Sequence, residues 1–163
     1  MASRLLSALE HQAEHGEWGS REEDVAIDPR LTKLVLQKRL CWGEVFFGCF
    51  EKPLPYFLPL LETIERAVKA ITQEDYRVTV YVDGIDRKKA VEMTNALRVR
   101  GIRLRRVRSR RDEAEPLIRL ADMWAGCIRA ALLGRDEEKG LLSRATREGY
   151  LKEVTKDPSA EKG

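Results

Sequence analysis

RVTVYVDGIDRKKAVEMTNALRVRGIRLRRVRSRR, residues 77–111, decides the fold class. At its start Val78, Val80 and Val82 alternate with Thr79, Tyr81 and Asp83, the period of two that a strand with one buried face requires. Gly84 closes that strand, and Asp86 stands where a capping carboxylate accepts the free N–H groups of a first helical turn. Ala90, Val91, Thr94 and Leu97 then recur at helical spacing as far as Gly101. The strand predicted over 102–108 slips in phase. Ile102 and Leu104 agree, Val107 does not, and arginines hold the remaining positions, a pattern that suits an edge strand carrying a bulge. Strand, helix, strand at this spacing predicts a parallel pair.

Outward from this segment, Pro116 suits the opening turn of a helix to about Leu133, with Leu117, Leu120, Ala121, Trp124, Ile128 and Ala131 as its buried stripe. A further helix, interrupted by Gly140 and Gly149, is predicted over Glu137 to Val154, and a polar tail over 156–163. Upstream, Phe57, Leu58, Leu61, Ile64, Val68 and Ile71 predict a helix from Tyr56 to Ile71. Gly43 to Phe50 reads as a strand, and Asp28-Pro29 starts a helix ending near Gly43. Leu5, Leu6, Leu9 and Ala13 suggest a short amphipathic helix followed by loop. The organisation expected is an N-terminal helix and loop over 1–28, an α/β domain over 29–155 and a disordered tail over 156–163.

The chain has 163 residues, 43% hydrophobic and 35% charged, enough for one core. No apolar run reaches the roughly 18 residues of a membrane span, and Glu10 interrupts what a signal peptide would keep apolar. Three cysteines, Cys41, Cys49 and Cys127, lack metal-site spacing and read as core thiols of a cytoplasmic protein. The net charge of +3 is small, yet eight arginines crowd Arg98 to Arg111 with no acid among them, so the rest of the chain is net acidic.

Two aspartates are candidates for chemistry. Asp83 ends a hydrophobic strand, where open α/β sheets bind ligands; it reads either as an Asx-type turn or as a metal-binding or acid/base carboxylate. Asp122 interrupts an otherwise apolar helix beside Ala125 and Gly126, small residues that let the helix approach a sheet; its plain alternative is an ion pair with Arg119. Arginines 103, 105, 106, 108, 110 and 111 form either a solvated edge or a phosphate-contact surface, to which guanidinium forks are suited. His11 and His15 are spaced i, i+4 without the HExxH order of a zinc helix, and they read as solvated. No GxSxG, GxxxxGK or GxGxxG motif occurs, which removes nucleophile-elbow and phosphate-loop chemistry.

Val80-Tyr81-Val82-Asp83, Val107-Arg108-Ser109 and Leu117 through Leu120-Ala121-Asp122-Met123-Trp124-Ala125-Gly126 resemble the C-terminal half of the family catalogued as domain of unknown function 3800. The resemblance covers about a third of the chain and implies a ribonuclease H-like mixed sheet flanked by helices. It implies that Asp83 and Asp122 act as catalytic, metal-holding carboxylates for Mg²⁺ or Mn²⁺ in phosphodiester cleavage. That family's opening Asp-Glu-Ser-Gly strand has no counterpart here, so the version implied is N-terminally truncated or divergent. The expected function is a metal-dependent nuclease-like domain acting on nucleic acid. The alternative is a non-catalytic interaction or nucleic-acid-binding domain whose open sheet edge pairs with a second copy or a partner chain.

Overall fold

The computed structural model describes residues 6–8, 29–50, 57–71, 74–110 and 116–155. The His11/His15 pair, Arg111, the cap expected at Asp28 and the polar tail lie outside the described residues. In chain order the elements are β1 (Leu6–Ala8), α1 (Pro29–Gln37), β2 (Val45–Phe47), α2 (Phe57–Ile71), β3 (Val78–Asp83), α3 (Arg87–Val99), β4 (Leu104–Arg110), α4 (Pro116–Leu132), α5 (Asp136–Arg147) and β5 (Leu151–Glu153). The α/β class expected from the alternation of elements is therefore found. Among the described residues, no helix is long and apolar enough to cross a membrane.

The start and stop of α3 follow from its sequence. Asp86 Oδ1 accepts the Lys89 N–H at 2.7 Å, as the capping pattern predicts. At the other end Gly101 adopts φ 85°, a conformation side chains resist, and two bonds close the helix: Gly101 N–H to Arg98 C=O and Ile102 N–H to Leu97 C=O, each 3.0 Å. The Ile102 and Leu97 side chains then pack in one cluster, so the stop also anchors the chain for β4.

The same closure at Gly149 (φ 73°) corrects the long C-terminal helix expected from the sequence. Gly149 N–H bonds Thr146 C=O at 3.1 Å and Tyr150 N–H bonds Ala145 C=O at 2.8 Å, which ends α5 and releases Leu151–Glu153 as β5. The N-terminal helix is corrected too: Leu6–Ala8 form a strand pairing parallel with Val45–Phe47, because pairing with a buried strand outweighs a weak helical pattern. The helix opened by Pro29 stops at Gln37, and a turn with Arg39 (φ 52°) and Cys41 (φ 55°) carries the chain to Gly43.

One ladder has the order β1-β2-β5 and a second joins β3 to β4. All three pairings are parallel, where the resemblance implies a mixed sheet. In the second ladder the register jumps between Val78 and Thr79, opposite Leu104 and Arg106, leaving Arg105 as an extra residue. This bulge resolves the phase slip, because past it Val107 falls back onto the buried face with Val80 and Val82.

Two apolar clusters form the core. In the first, α1, α4 and α5 cover Val45, Phe47 and Leu151, with Trp124 and Tyr150 fully buried. In the second, Leu60, Leu61, Ile64 and Val68 of α2 and Met93 and Leu97 of α3 cover Val80, Val82 and Leu104. The halves meet just past β2. A Cβ on Gly48 would lie 2.5 Å from Thr63 Oγ1, 2.8 Å from the Phe50 ring and 3.1 Å from Thr155 Cγ2. Nearby, Arg66 donates to Val154 C=O at 2.9 Å and Cys49 N–H donates to Thr155 Oγ1 at 3.0 Å. Gly48→Ala should therefore overpack the seam and cost about 1–3 kcal/mol, read as a lower urea midpoint at unchanged slope. An unchanged midpoint would mean that the two threonines step aside freely.

Candidate nucleic-acid interface

The register of β3 against β4 sets Thr79 opposite Arg106, Tyr81 opposite Arg108 and Asp83 opposite Arg110. Because α2 and α3 cover the valine face, this second row lies on the other face of the ladder. Tyr81, Asp83 and Arg106 are exposed, and Thr79 and Arg108 half-buried. Asp83 ends the row at the carboxyl end of the strand, before a turn through Gly84 at φ 62°.

Of the six arginines expected to act together, the five within the described residues separate in the structure. Arg106, Arg108 and Arg110 form the row, and Arg105 sits exposed in the bulge beside it. Arg103 precedes the strand and pairs with Asp75 at 2.9 Å, both side chains well exposed. Such a surface pair contributes little stability. Arg100, at the end of α3, bonds Glu65 of α2 at 2.6 Å, and Lys69 reaches the same carboxylate. The Lys69 and Arg100 hydrogen bonds hold the Glu65 carboxyl below its usual range. Arg100 is thus a brace between helices.

Asp122 lies on the exposed side of α4, with Ala125 buried and Gly126 half-buried along the helix. Asp122 is thus exposed on a helix whose neighbouring positions Ala121, Met123 and Ala125 are buried. α4 touches both β1 and β3, so the helix bearing Asp122 adjoins the strand bearing Asp83. Among the described residues, no group of three or more His, Cys, Asp or Glu side chains gathers to hold a metal ion. Asp83 and Asp122 offer two hard carboxylates, the donor type that Mg²⁺ and Mn²⁺ take.

No family model, curated protein or solved structure matches this chain. The site therefore rests on its own geometry.

Two positions went unassigned by sequence reasoning. Glu153 stands at the carboxyl end of β5, half-buried, accepting from Thr155 Oγ1 at 3.2 Å; reading 137–154 as helix hid it. Tyr81 was visible as an outward residue of β3, but only the register shows arginine opposite it. The cysteines take no part in this row. Cys127 is buried, and burial, reinforced by the charge of Glu138, pushes its thiol up to about 11, so it packs as an unreactive core group. Cys41 and Cys49 are only half-buried, less enclosed than core thiols.

Proposed function

We propose that the chain binds nucleic-acid phosphodiesters across the Thr79–Asp83 face of the β3–β4 ladder, as a nuclease-like domain in which Asp83 and Asp122 hold Mg²⁺ or Mn²⁺. The supporting observation is the row of Arg106, Arg108 and Arg110 beside Thr79, Tyr81 and Asp83. Alternate strand residues are about 7 Å apart, so positions 106, 108 and 110 follow a line along which an extended phosphate backbone can run. Metal held by the two aspartates would supply charge stabilisation for the attacking and leaving oxygens. The arginines themselves fix the backbone and set the salt dependence.

Binding of a labelled oligonucleotide, titrated from low to high salt, tests this. Replacing both Arg106 and Arg108 by alanine should flatten the slope of log K against log salt by about 1.4 units on a single strand and about 1.8 on a duplex. Asp83→Asn or Asp122→Asn should leave that slope unchanged and remove Mg²⁺- or Mn²⁺-dependent cleavage. A slope indifferent to the arginine pair would reduce the row to a solvated edge. Binding without cleavage under either metal would leave the second reading, a non-catalytic interaction domain. That reading draws on the two-stranded β3–β4 ladder, in which each strand pairs on one side only among the described residues, leaving an edge for a second copy or partner.

A further inference from the structure

Tyr81 stands in the middle of β3, 42% exposed, with Arg108 opposite it. Thr79–Arg106 precedes it in the ladder and Asp83–Arg110 follows. A surface whose only task were to hold a string of phosphates would gain nothing from an aromatic ring at its centre. The ring offers a flat apolar face, and every nucleobase has a matching π-face once it is unstacked. In a duplex the bases stay stacked inside while the phosphates stay outside, so a ring lying on a helix-backed sheet would meet backbone alone. In a single strand, phosphates can run along the arginines while a base turns down onto the ring.

Resting on the phosphodiester reading above, we infer that this face selects single-stranded nucleic acid, with Tyr81 as the platform on which one base stacks between phosphates held by Arg106 and Arg108. The one-sided architecture agrees with this. α2 and α3 cover the valine face, leaving Val80 and Val82 buried and Val78 and Val107 half-buried, so the face open to a strand is the one that presents tyrosine and arginine together.

The test uses the full chain at low salt and three probes: an oligothymidylate of about twelve nucleotides, an abasic deoxyribose-phosphate oligomer of equal length, and a matching duplex. Tyr81→Ala should weaken oligothymidylate binding by at least about fivefold, while Tyr81→Phe and Tyr81→Trp restore it. The abasic oligomer should bind wild type and Tyr81→Ala equally, and the duplex should bind more weakly than the oligothymidylate. Thermal melts of the three variants should stay close to wild type, since Tyr81 belongs to neither apolar cluster. If Tyr81→Ala leaves oligothymidylate affinity unchanged while the arginine pair weakens it, stacking is wrong and phosphate binding stands. Preference for the duplex would also overturn single-strand selection. If none of the probes binds, both proposals fall together.

Discussion

Trp124→Ala is expected to lower the free energy of unfolding by about 3–5 kcal/mol, a large share of what holds a domain of this size folded. Trp124 is fully buried in α4, and its ring lies 5.3 Å from that of Tyr150, which in turn meets Trp42 edge-on at 5.5 Å. Three parts of the chain converge there: α4, the turn after α5, and the turn between α1 and β2, which Tyr150 secures by donating its hydroxyl proton to Leu40 C=O. Removing the indole leaves a cavity whose walls belong to separate elements and cannot all close on it. The melting temperature should fall by roughly 6–20 °C. Should the alanine variant not fold, Trp124→Phe keeps a ring and should show a smaller loss in the same melt. A loss below about 1 kcal/mol for alanine would mean that the site collapses without cost.

Leu97→Ala is the matching expectation for the other cluster, at about 2–5 kcal/mol. Leu97 and Met93 are fully buried on α3 against β3 and β4, and Leu97 C=O also accepts the Ile102 N–H that ends the helix. The backbone bond survives the substitution, so the cost is one of packing alone. Trp124 and Leu97 belong to different clusters, and the costs of Trp124→Ala and Leu97→Ala should add within about 0.5 kcal/mol in urea denaturation. A clear departure from additivity would show that the seam at Gly48 transmits strain between the halves.

The parts of the fold legible in the sequence are those with long periodic patterns or explicit punctuation. The valine alternation of 78–82, the Asp86 cap and the Gly101 stop stand in the structure as read, and the stripe of α4 stands in part: Leu117 and Leu120 are only half-buried, while Ile118, Met123 and Cys127 outside it are buried. The three-residue strands β1 and β5 were not legible. Three residues carry too little alternation to outweigh a neighbouring helical pattern, and what makes Leu6–Ala8 and Leu151–Glu153 extended is β2 between them. The site divides in the same way. Asp83 at a strand end and Asp122 on a helix margin followed from local pattern, whereas the grouping of arginines did not. Arg100 and Arg103 look equivalent to Arg106 in the sequence, yet Glu65 and Asp75, which pair with them, come from remote positions.

The extra residue at Arg105 is one the ladder can spare. Without it Leu104 and Arg106 would still stand opposite Val78 and Thr79, Val107 would still face inward beside Val80, and the alternation would be regular. A residue gained between Arg106 and Val107 would instead turn Val107 outward and hand Arg108 to the layer under α2 and α3, which cannot accept a lone guanidinium group. Past the bulge this strand can therefore exchange its arginines one at a time, but it can gain or lose residues only in pairs.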